Sequence, residues 1–134
     1  MNKILVVDDD YAIRLLYEEE LRFEGYEVVT ASGSAGLMEI IDEEQPDLVL
    51  LDIVMGDSNG LDVLQKIRNA HYDLPVIICS AYETYRHDLK SFAADYYVVK
   101  SSDLSEMKLR IKMAMETQMG FIKLEAAPAV VNAI

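Results

Sequence analysis

Runs of consecutive aliphatic residues recur along the chain and alternate with stretches whose apolar residues are three or four positions apart. An unbroken aliphatic run is typical of a strand buried on both faces of a parallel sheet, and spacing near 3.6 predicts an amphipathic helix. Five strands are predicted, at residues 3–7, 26–30, 48–51, 74–79 and 96–100. A helix is predicted after each strand: at residues 11–24, after the turn at 32–34 to about 44, at 61–69, at 84–94, and from 103 to about 119.

The predicted helices each carry an apolar stripe that should face the sheet. The stripes consist of Ile13, Leu16, Tyr17 and Leu21; Leu37, Ile40 and Ile41; Leu61, Leu64 and Ile67; Tyr85, Leu89 and Phe92; and Leu104, Met107, Ile111 and Ala114. Asp10 is predicted to cap the first helix and Gly25 to follow its last turn. A turn with a cap is predicted at residues 32–34, and Asp103 with Glu106 resembles a capping box.

Strict alternation of strands and helices, repeated five times, predicts the α/β class. Strands buried on both faces need helices on both sides of the sheet, so we expect a doubly wound parallel sheet in three α/β/α layers. The carboxyl ends of all strands then share one edge of the sheet, where sites of such folds lie. The residues that follow the strands therefore decide what chemistry the domain can perform.

Composition narrows the classes of function. A chain of 134 residues fits one domain, and its net charge of −12 argues against a nucleic-acid surface or docking on anionic lipid. No apolar run reaches the roughly 18 residues of a membrane helix. The first strand starts at Lys3, which leaves no room for a signal peptide. The single cysteine, Cys79, is interpreted as a core thiol in a reducing compartment, so we expect a cytoplasmic protein.

Chemically notable residues stand at four of the five strand ends. The first strand leads into Asp8 and Asp9, the third into Asp52, the fourth into Ser80 and the fifth into Lys100. Two carboxylates at about 4 Å and an effective dielectric constant of about 20 repel by about 4 kcal/mol. Lys100 and a hard divalent cation such as Mg²⁺ would offset this repulsion, and the metal-loaded pocket would accept a phosphoryl group on a carboxylate.

Each of these residues taken alone has an ordinary explanation. Asp52 could be a solvated loop residue, Lys100 a surface lysine and Ser80 a strand-end serine. Asp10, next to the acidic pair, is better explained as a helix cap. The joint placement at one sheet edge is what favours a site.

The sequence resembles the receiver domain of two-component response regulators over residues 3 to about 119. The motifs that carry the resemblance are Ile-Leu-Val-Val-Asp8-Asp9, Asp47-Leu-Val-Leu-Leu-Asp52, Ser80-Ala81 and Tyr97-Val-Val-Lys100. The resemblance implies a flavodoxin-like (CheY-like) sheet with strand order 2-1-3-4-5. It also implies a receiver domain at residues 1–119, followed by a tail or linker at 120–134.

The resemblance assigns a role to each site residue. Asp52 would take a phosphoryl group, and Asp8, Asp9, Asp52 and the backbone carbonyl of Val54 would hold Mg²⁺ or Mn²⁺. The remaining assignments are phosphoryl contacts by Ser80, Lys100 and the Ala81 backbone, a switch formed by Ser80 and Tyr97, and control of dephosphorylation by Val54 and Tyr82.

The family's partners and output are implied in the same way. The phosphoryl group would come from a sensor histidine kinase or a phosphotransfer protein. The output face would comprise the fourth helix, the fifth strand and the fifth helix, through which the domain would control a partner or form a homodimer. Such a domain is not an enzyme with a separate substrate: it catalyses only its own phosphorylation and slow dephosphorylation.

Three positions depart from the family's usual pattern. Ser101 stands where a proline, usually in a cis bond, follows the lysine. Gly56 replaces a common proline in the loop after Asp52, and Ala93 replaces the glycine that closes the fourth helix. The first two changes predict looser loops beside the site, and the third predicts a rebuilt turn, because a positive φ costs a non-glycine residue about 1 kcal/mol.

Three alternatives remain at this point. The spacing of Asp8 and Asp10 after a strand also resembles the nucleophile and acid pair of haloacid-dehalogenase phosphatases, in which Asp8 would be phosphorylated. A flavodoxin-type nucleotide binder is disfavoured, because an acidic triplet stands where a phosphate-binding loop belongs. A degenerate receiver that only binds proteins is disfavoured by the complete set of acceptor residues.

Overall fold

The computed structural model describes residues 2–56, 58–83 and 93–126. Its main feature is a five-stranded sheet whose neighbouring strands are all parallel. In chain order these strands are β1 (Lys3–Val7), β2 (Glu27–Ala31), β3 (Leu48–Leu51), β4 (Val76–Ser80) and β5 (Tyr96–Val99). They lie in the order β2-β1-β3-β4-β5, which confirms the predicted doubly wound fold.

Helices cover both faces of this sheet. They are α1 (Tyr11–Phe23), α2 (Leu37–Glu44), α3 (Gly60–Ala70) and α4 (Ser105–Ala126). Buried residues of α2 and α3 pack on one face with Leu5, Val49 and Ile78. Those of α1 and α4 pack on the other with Ile4, Leu50 and Ile77, so alternate residues of each central strand enter opposite cores. The helix predicted at 84–94, including Tyr85, Leu89 and Phe92, falls largely outside the described residues.

Most of the predicted helix stripes are confirmed, but the prediction that Leu16 faces the core is wrong. Tyr17 and Leu21 are buried and Ile13 packs partly against the same core, whereas Leu16 is 41% exposed. Its neighbour in the stripe, Tyr17, takes the inward position instead. The last helix is also longer than predicted, since its backbone continues past Met119 to Ala126.

The caps of the helices match the predictions at α1 and differ elsewhere. Oδ1 of Asp10 accepts hydrogen bonds from the first turn of α1, and Gly25 follows that helix with a φ of +99°. Helix α2 is capped by Gly36 at a φ of +68° rather than by the turn at 32–34. Asp103 accepts from the backbone N–H of Ser105, the first residue of α4, at 2.9 Å. Its own N–H donates to the Ser101 hydroxyl oxygen at 3.1 Å rather than to Glu106, so the predicted capping box does not form.

One arginine joins two connections on the face of the sheet opposite α1: the one from α3 to β4 and the one that enters β5. Arg68 of α3 donates to the carbonyls of Tyr72, Leu74 and Ala93, and its guanidinium lies 3.0 Å from a carboxylate oxygen of Asp95. The segment that enters β5 is therefore anchored to α3. Among the described residues, none of the helices is long and apolar enough to cross a membrane.

Candidate functional site

The carboxyl edge of the sheet brings three acidic residues together. One carboxylate oxygen from each of Asp8, Asp9 and Asp52 can be chosen so that all three lie within 4.8 Å of one another. Asp8 and Asp52 are buried, at 3% and 5% exposure, and Asp9 is exposed. The strand-end pattern thus predicted a real cluster.

Lys100 reaches this cluster from β5. Its ammonium nitrogen lies 2.7 Å from Oδ2 of Asp8 and 3.3 Å from Oδ2 of Asp52. The ladder of the sheet continues past the strand ends and sets these positions, since the N–H of Asp52 donates to Val7 and that of Lys100 donates to Ser80. Two carboxylates and one ammonium are therefore fixed by the same backbone that forms the core.

Burial and charge act in opposite directions on the ionisable groups of the site. Burial raises the pKa of Asp52 above its ordinary value, and the charge of Asp8 adds to this, while Lys100 and the backbone N–H of Val54 oppose it. Burial alone would lower the pKa of Lys100, but the hydrogen bond to Asp8 and the charges of both carboxylates raise it. Lys100 stays protonated, and the pocket has a deficit of positive charge.

The donor set fits a hard divalent cation. All three side chains offer carboxylate oxygens, which Mg²⁺ and Mn²⁺ prefer over nitrogen or sulfur. The cluster has two negative charges more than Lys100 neutralises by itself, so a dication would balance it. Asp9, being exposed, gives access from solvent.

Ser80 and Tyr97 are linked through the backbone of one residue. Ser80 is fully buried at the end of β4, and its hydroxyl oxygen accepts from the N–H of Tyr82 at 3.1 Å. The hydroxyl of Tyr97 donates to the carbonyl of the same Tyr82. The ring of Tyr97 packs partly against the core that contains α2 and α3. The two predicted switch residues are thus brought together.

The side chains of Val54 and Tyr82 are both exposed, at 44% and 53%. Val54 follows Asp52 by two residues, and its N–H donates to the Asp52 carboxylate. Ala81, between Ser80 and Tyr82, is exposed as well.

The loop after Asp52 has a regular structure that the sequence did not predict. Val54–Met55 and Ser58–Asn59 pair as a short antiparallel ribbon, and Gly56 has a φ of +53° between them. Proline cannot adopt this φ, so the glycine at a position where the family usually has proline supports a different turn. The hydroxyl of Ser58 also lies 2.7 Å from that of Ser34, which joins the loop to the one before α2.

Gly60 is a site residue that sequence reasoning missed. It starts α3, and a Cβ atom built on it would lie 2.2 Å from the carbonyl oxygen of Asp52 and 2.6 Å from Cα of Ile53. Its N–H donates to the Ile53 carbonyl at 2.7 Å. Only glycine allows α3 to approach the chain at the end of β3 this closely. The single signal in the sequence was the Asn-Gly pair that was taken for a loop.

Arg14 was also missed. Its guanidinium Nη1 donates to the backbone carbonyl of Asp8 at 2.7 Å, from a position one turn into α1. The sequence analysis considered only the apolar stripe of the first helix. No local pattern in the sequence indicates that an arginine on this helix donates to the backbone of Asp8.

The phosphatase alternative is not supported. Asp10, which would be its acid, has its carboxylate at the start of α1, where it accepts from the N–H groups of Ala12 and Ile13. Asp52 stands beside Asp8 with its carboxylate in the pocket, which a nucleophile at Asp8 does not explain.

The doubly wound sheet carries Asp8, Asp9, Asp52 and Lys100 at its carboxyl edge. This combination of fold and site defines a signalling domain that is itself phosphorylated. Residues 4–112 match the family model described as the response regulator receiver domain. The chain belongs to this family, as the motifs had suggested.

Solved structures agree with this assignment. The response regulator protein TrrA from Thermotoga maritima, in complex with Mg²⁺ and BeF, is 45% identical, with a TM-score of 0.82 over 85% of this chain and 99% of that one. The same regulator in complex with the histidine kinase ThkA gives 43% identity and a TM-score of 0.81, over 86% and 99% of the two chains.

Among curated proteins, the sporulation initiation phosphotransferase F of Bacillus subtilis is 33% identical over 112 residues, which cover 82% of this chain and 90% of that protein. The chain spans less than half the length of the transcriptional regulators that it also matches. What it shares with those longer proteins is the receiver domain.

Proposed function

We propose that this receiver domain takes a phosphoryl group from a phosphohistidine onto Asp52 in a reaction that depends on Mg²⁺ or Mn²⁺. The observation that supports the proposal most is the convergence of Asp8, Asp9 and Asp52 with Lys100 at one sheet edge. Asp52 is the acceptor because it ends the central strand β3, between the acidic pair on β1 and the lysine on β5.

The reaction joins a carboxylate oxygen of Asp52 to phosphorus and breaks the bond from phosphorus to the imidazole nitrogen of the donor. Lys100 binds a phosphoryl oxygen, together with the hydroxyl of Ser80 and the backbone of Ala81. Asp8, Asp9 and Asp52, with the carbonyl of Val54, would hold the metal. Bound Mg²⁺ offsets the negative charge of the carboxylates and of the incoming phosphoryl oxygens.

The acceptor's burial serves this reaction. A buried carboxylate has few waters to lose before it attacks, and Lys100 keeps it oriented at 3.3 Å. The charge count supports the need for metal. Three carboxylates and one ammonium leave −2, which repels a phosphoryl group, and a dication would bring the pocket to zero.

The switch uses the link through Tyr82. When the Ser80 hydroxyl turns toward a phosphoryl oxygen, it releases the N–H of Tyr82, and the carbonyl of the same residue is bonded to Tyr97. Movement at Ser80 therefore reaches Tyr97 on β5. The proposed output face comprises β5, α4 and the helix predicted at 84–94, through which the domain controls a partner or forms a homodimer.

We infer that the phosphoryl donor is a sensor histidine kinase or a phosphotransfer protein, as supported by the kinase complex of a regulator 43% identical to this chain. The domain catalyses its own phosphorylation and slow dephosphorylation and acts on no separate substrate.

A cytoplasmic location fits the buried free thiol of Cys79. We propose residues 1–119 as the receiver domain and residues 120–134 as a tail or linker. The acidic charge of −12 fits an output through protein contacts rather than nucleic acid.

Intact mass after incubation with a small phosphodonor tests the proposal. With Mg²⁺, the wild-type protein should gain one phosphoryl group, and neither Asp52→Asn nor wild type in EDTA should gain it. An adduct that forms equally in Asp52→Asn or without metal would overturn the proposal.

A further inference from the structure

Asp8 has a hydrogen-bonding partner for each of its polar groups. Its N–H donates to Ala31 at 3.1 Å, and its two carboxylate oxygens bind the N–H of Asp10 at 2.9 Å and the ammonium of Lys100 at 2.7 Å. Its carbonyl accepts from the guanidinium of Arg14 at 2.7 Å. The first three partners lie at the sheet edge or in the adjoining turn, and the fourth is a side chain of α1.

The guanidinium of Arg14 makes a second contact. Its guanidinium lies over the ring of Tyr11, 5.5 Å from the ring centre, and the residue is half-buried. Helix α1 is anchored in the core through Tyr17 and Leu21, so packing sets the position of the helix that carries the donor of this bond. The bond therefore ties the turn that carries Asp8 and Asp9 to a rigid element.

We propose that Arg14 is a positioning residue that orients the turn at Asp8 and Asp9 and thereby sets the affinity of the acidic site for Mg²⁺. This inference rests on the proposed function, because it needs the site to bind a dication. Groups that orient metal ligands from behind commonly change metal affinity by about tenfold or more when they are removed. Arg14 acts through the backbone of Asp8 and not through its carboxylate.

The positive charge of Arg14 has the opposite effect on a dication. Its removal alone would tighten Mg²⁺ binding, because one repulsive charge near the site disappears. That effect is screened by salt, whereas a misplaced ligand stays misplaced at any ionic strength. Mg²⁺ affinity at high salt therefore separates positioning from charge.

Calorimetric titration with Mg²⁺ at about 0.05 M and about 0.5 M KCl tests the inference. The proteins are wild type, Arg14→Met, Arg14→Lys and the control Arg22→Met, whose arginine lies on the same helix, 2.8 Å from Glu18 and exposed. At high salt, Arg14→Met should bind Mg²⁺ about tenfold more weakly than wild type. Arg14→Lys keeps the charge but loses the guanidinium that donates to the Asp8 carbonyl and lies over the Tyr11 ring, so it should bind Mg²⁺ about threefold more weakly at both salt concentrations. Arg22→Met should match wild type.

The outcomes are distinct for the two proposals. If wild type binds Mg²⁺ and Arg14→Met binds it as well or better at high salt, the inference about Arg14 is wrong and the proposed function stands. If Arg14→Met does not fold, Arg14→Lys carries the test, and wild-type affinity in that variant overturns the inference. If wild type itself binds no Mg²⁺, the proposed function fails, and the inference fails with it.

Discussion

The ammonium nitrogen of Lys100 lies 2.7 Å from Oδ2 of Asp8. The two residues are 92 positions apart in the chain, and the parallel sheet brings them together because β1 and β5 end at the same edge. This ion pair is largely buried, so its loss should be felt both in stability and in the chemistry of Asp52.

The variant Lys100→Met should therefore be destabilised when metal is absent. Removing one partner of a buried pair leaves an uncompensated charge, and we expect the free energy of unfolding in EDTA to fall by about 3 kcal/mol. Lys100→Arg should lose less. Urea unfolding measures this, with Lys112→Met, an exposed position on α4, as control. A Lys100→Met protein as stable as the control would show that the carboxylates do not depend on the lysine.

A second prediction follows from the close approach of α3 to the chain at Asp52 and Ile53, just after β3. Gly60→Ala places a Cβ atom 2.2 Å from the Asp52 carbonyl oxygen, so backbone must move. We expect a loss of about 3 kcal/mol or more in the free energy of unfolding, and impaired phosphorylation of whatever protein folds. Gly33→Ala is the matched control, because a Cβ there would meet nothing within 4 Å. Equal stability of the two variants would refute the prediction.

The buried pair of Tyr17 and Cys79 makes a prediction about pH. The Tyr17 hydroxyl lies 3.5 Å from the Cys79 sulfur. Burial raises the pKa of both groups above their ordinary values. The hydrogen bond from Tyr17 and the charge of Lys100 act against this and lower the pKa of Cys79, but burial is the larger effect. Above pH 9, the unfolded chain loses these protons before the folded protein does. Stability should then fall as pH rises, by up to about 1.4 kcal/mol per pH unit for each group.

Urea unfolding between pH 8 and 11 checks this slope. Tyr17→Phe should have a shallower slope above pH 10 than wild type, even if its stability at pH 8 is lower, whereas Tyr72→Phe, with an exposed ring, should keep the wild-type slope. A Tyr17→Phe protein with an unchanged slope would mean that the buried tyrosine does not contribute.

The lifetime of the phosphorylated form makes a fourth prediction. Val54 and Tyr82 are exposed beside the site, and neither has a carboxylate or amide that orients an attacking water. We expect a long-lived phosphoryl group and faster loss, by about tenfold, in Tyr82→Glu and Val54→Asn. Decay of the phosphorylated mass with time measures the rate. Tyr82→Phe and Val54→Ile serve as controls. The prediction would be contradicted if Tyr82→Glu and Val54→Asn lost the phosphoryl group no faster than these controls do.

Much of the fold and the core of the site could be predicted because they follow from local patterns and one topological rule. Unbroken aliphatic runs mark strands such as β3 without any tertiary information. Parallel strands then place their carboxyl ends along one edge, where Asp52, Asp8 and Lys100 were expected. The strand order that puts Asp52 between the other two came from the resemblance to the receiver family.

The missed features depend on contacts between distant elements. The need for glycine at position 60 arises only from how closely α3 approaches Asp52, and the hydrogen bond of Arg14 arises from the angle at which α1 leaves the turn. Leu16 satisfies the helical spacing as well as Tyr17 does, so only packing decides which of them is buried. Gly56 shows its role only once its φ of +53° is known.

The most direct measurement maps the phosphorylated residue itself. The protein, phosphorylated in the presence of Mg²⁺, is reduced with borohydride, which converts an aspartyl phosphate into homoserine, and is then digested and sequenced by mass spectrometry. Conversion at Asp52 alone is expected, with Asp8 and Asp9 unmodified. Conversion at Asp8 would contradict the assignment of the acceptor and would revive the phosphatase chemistry at β1.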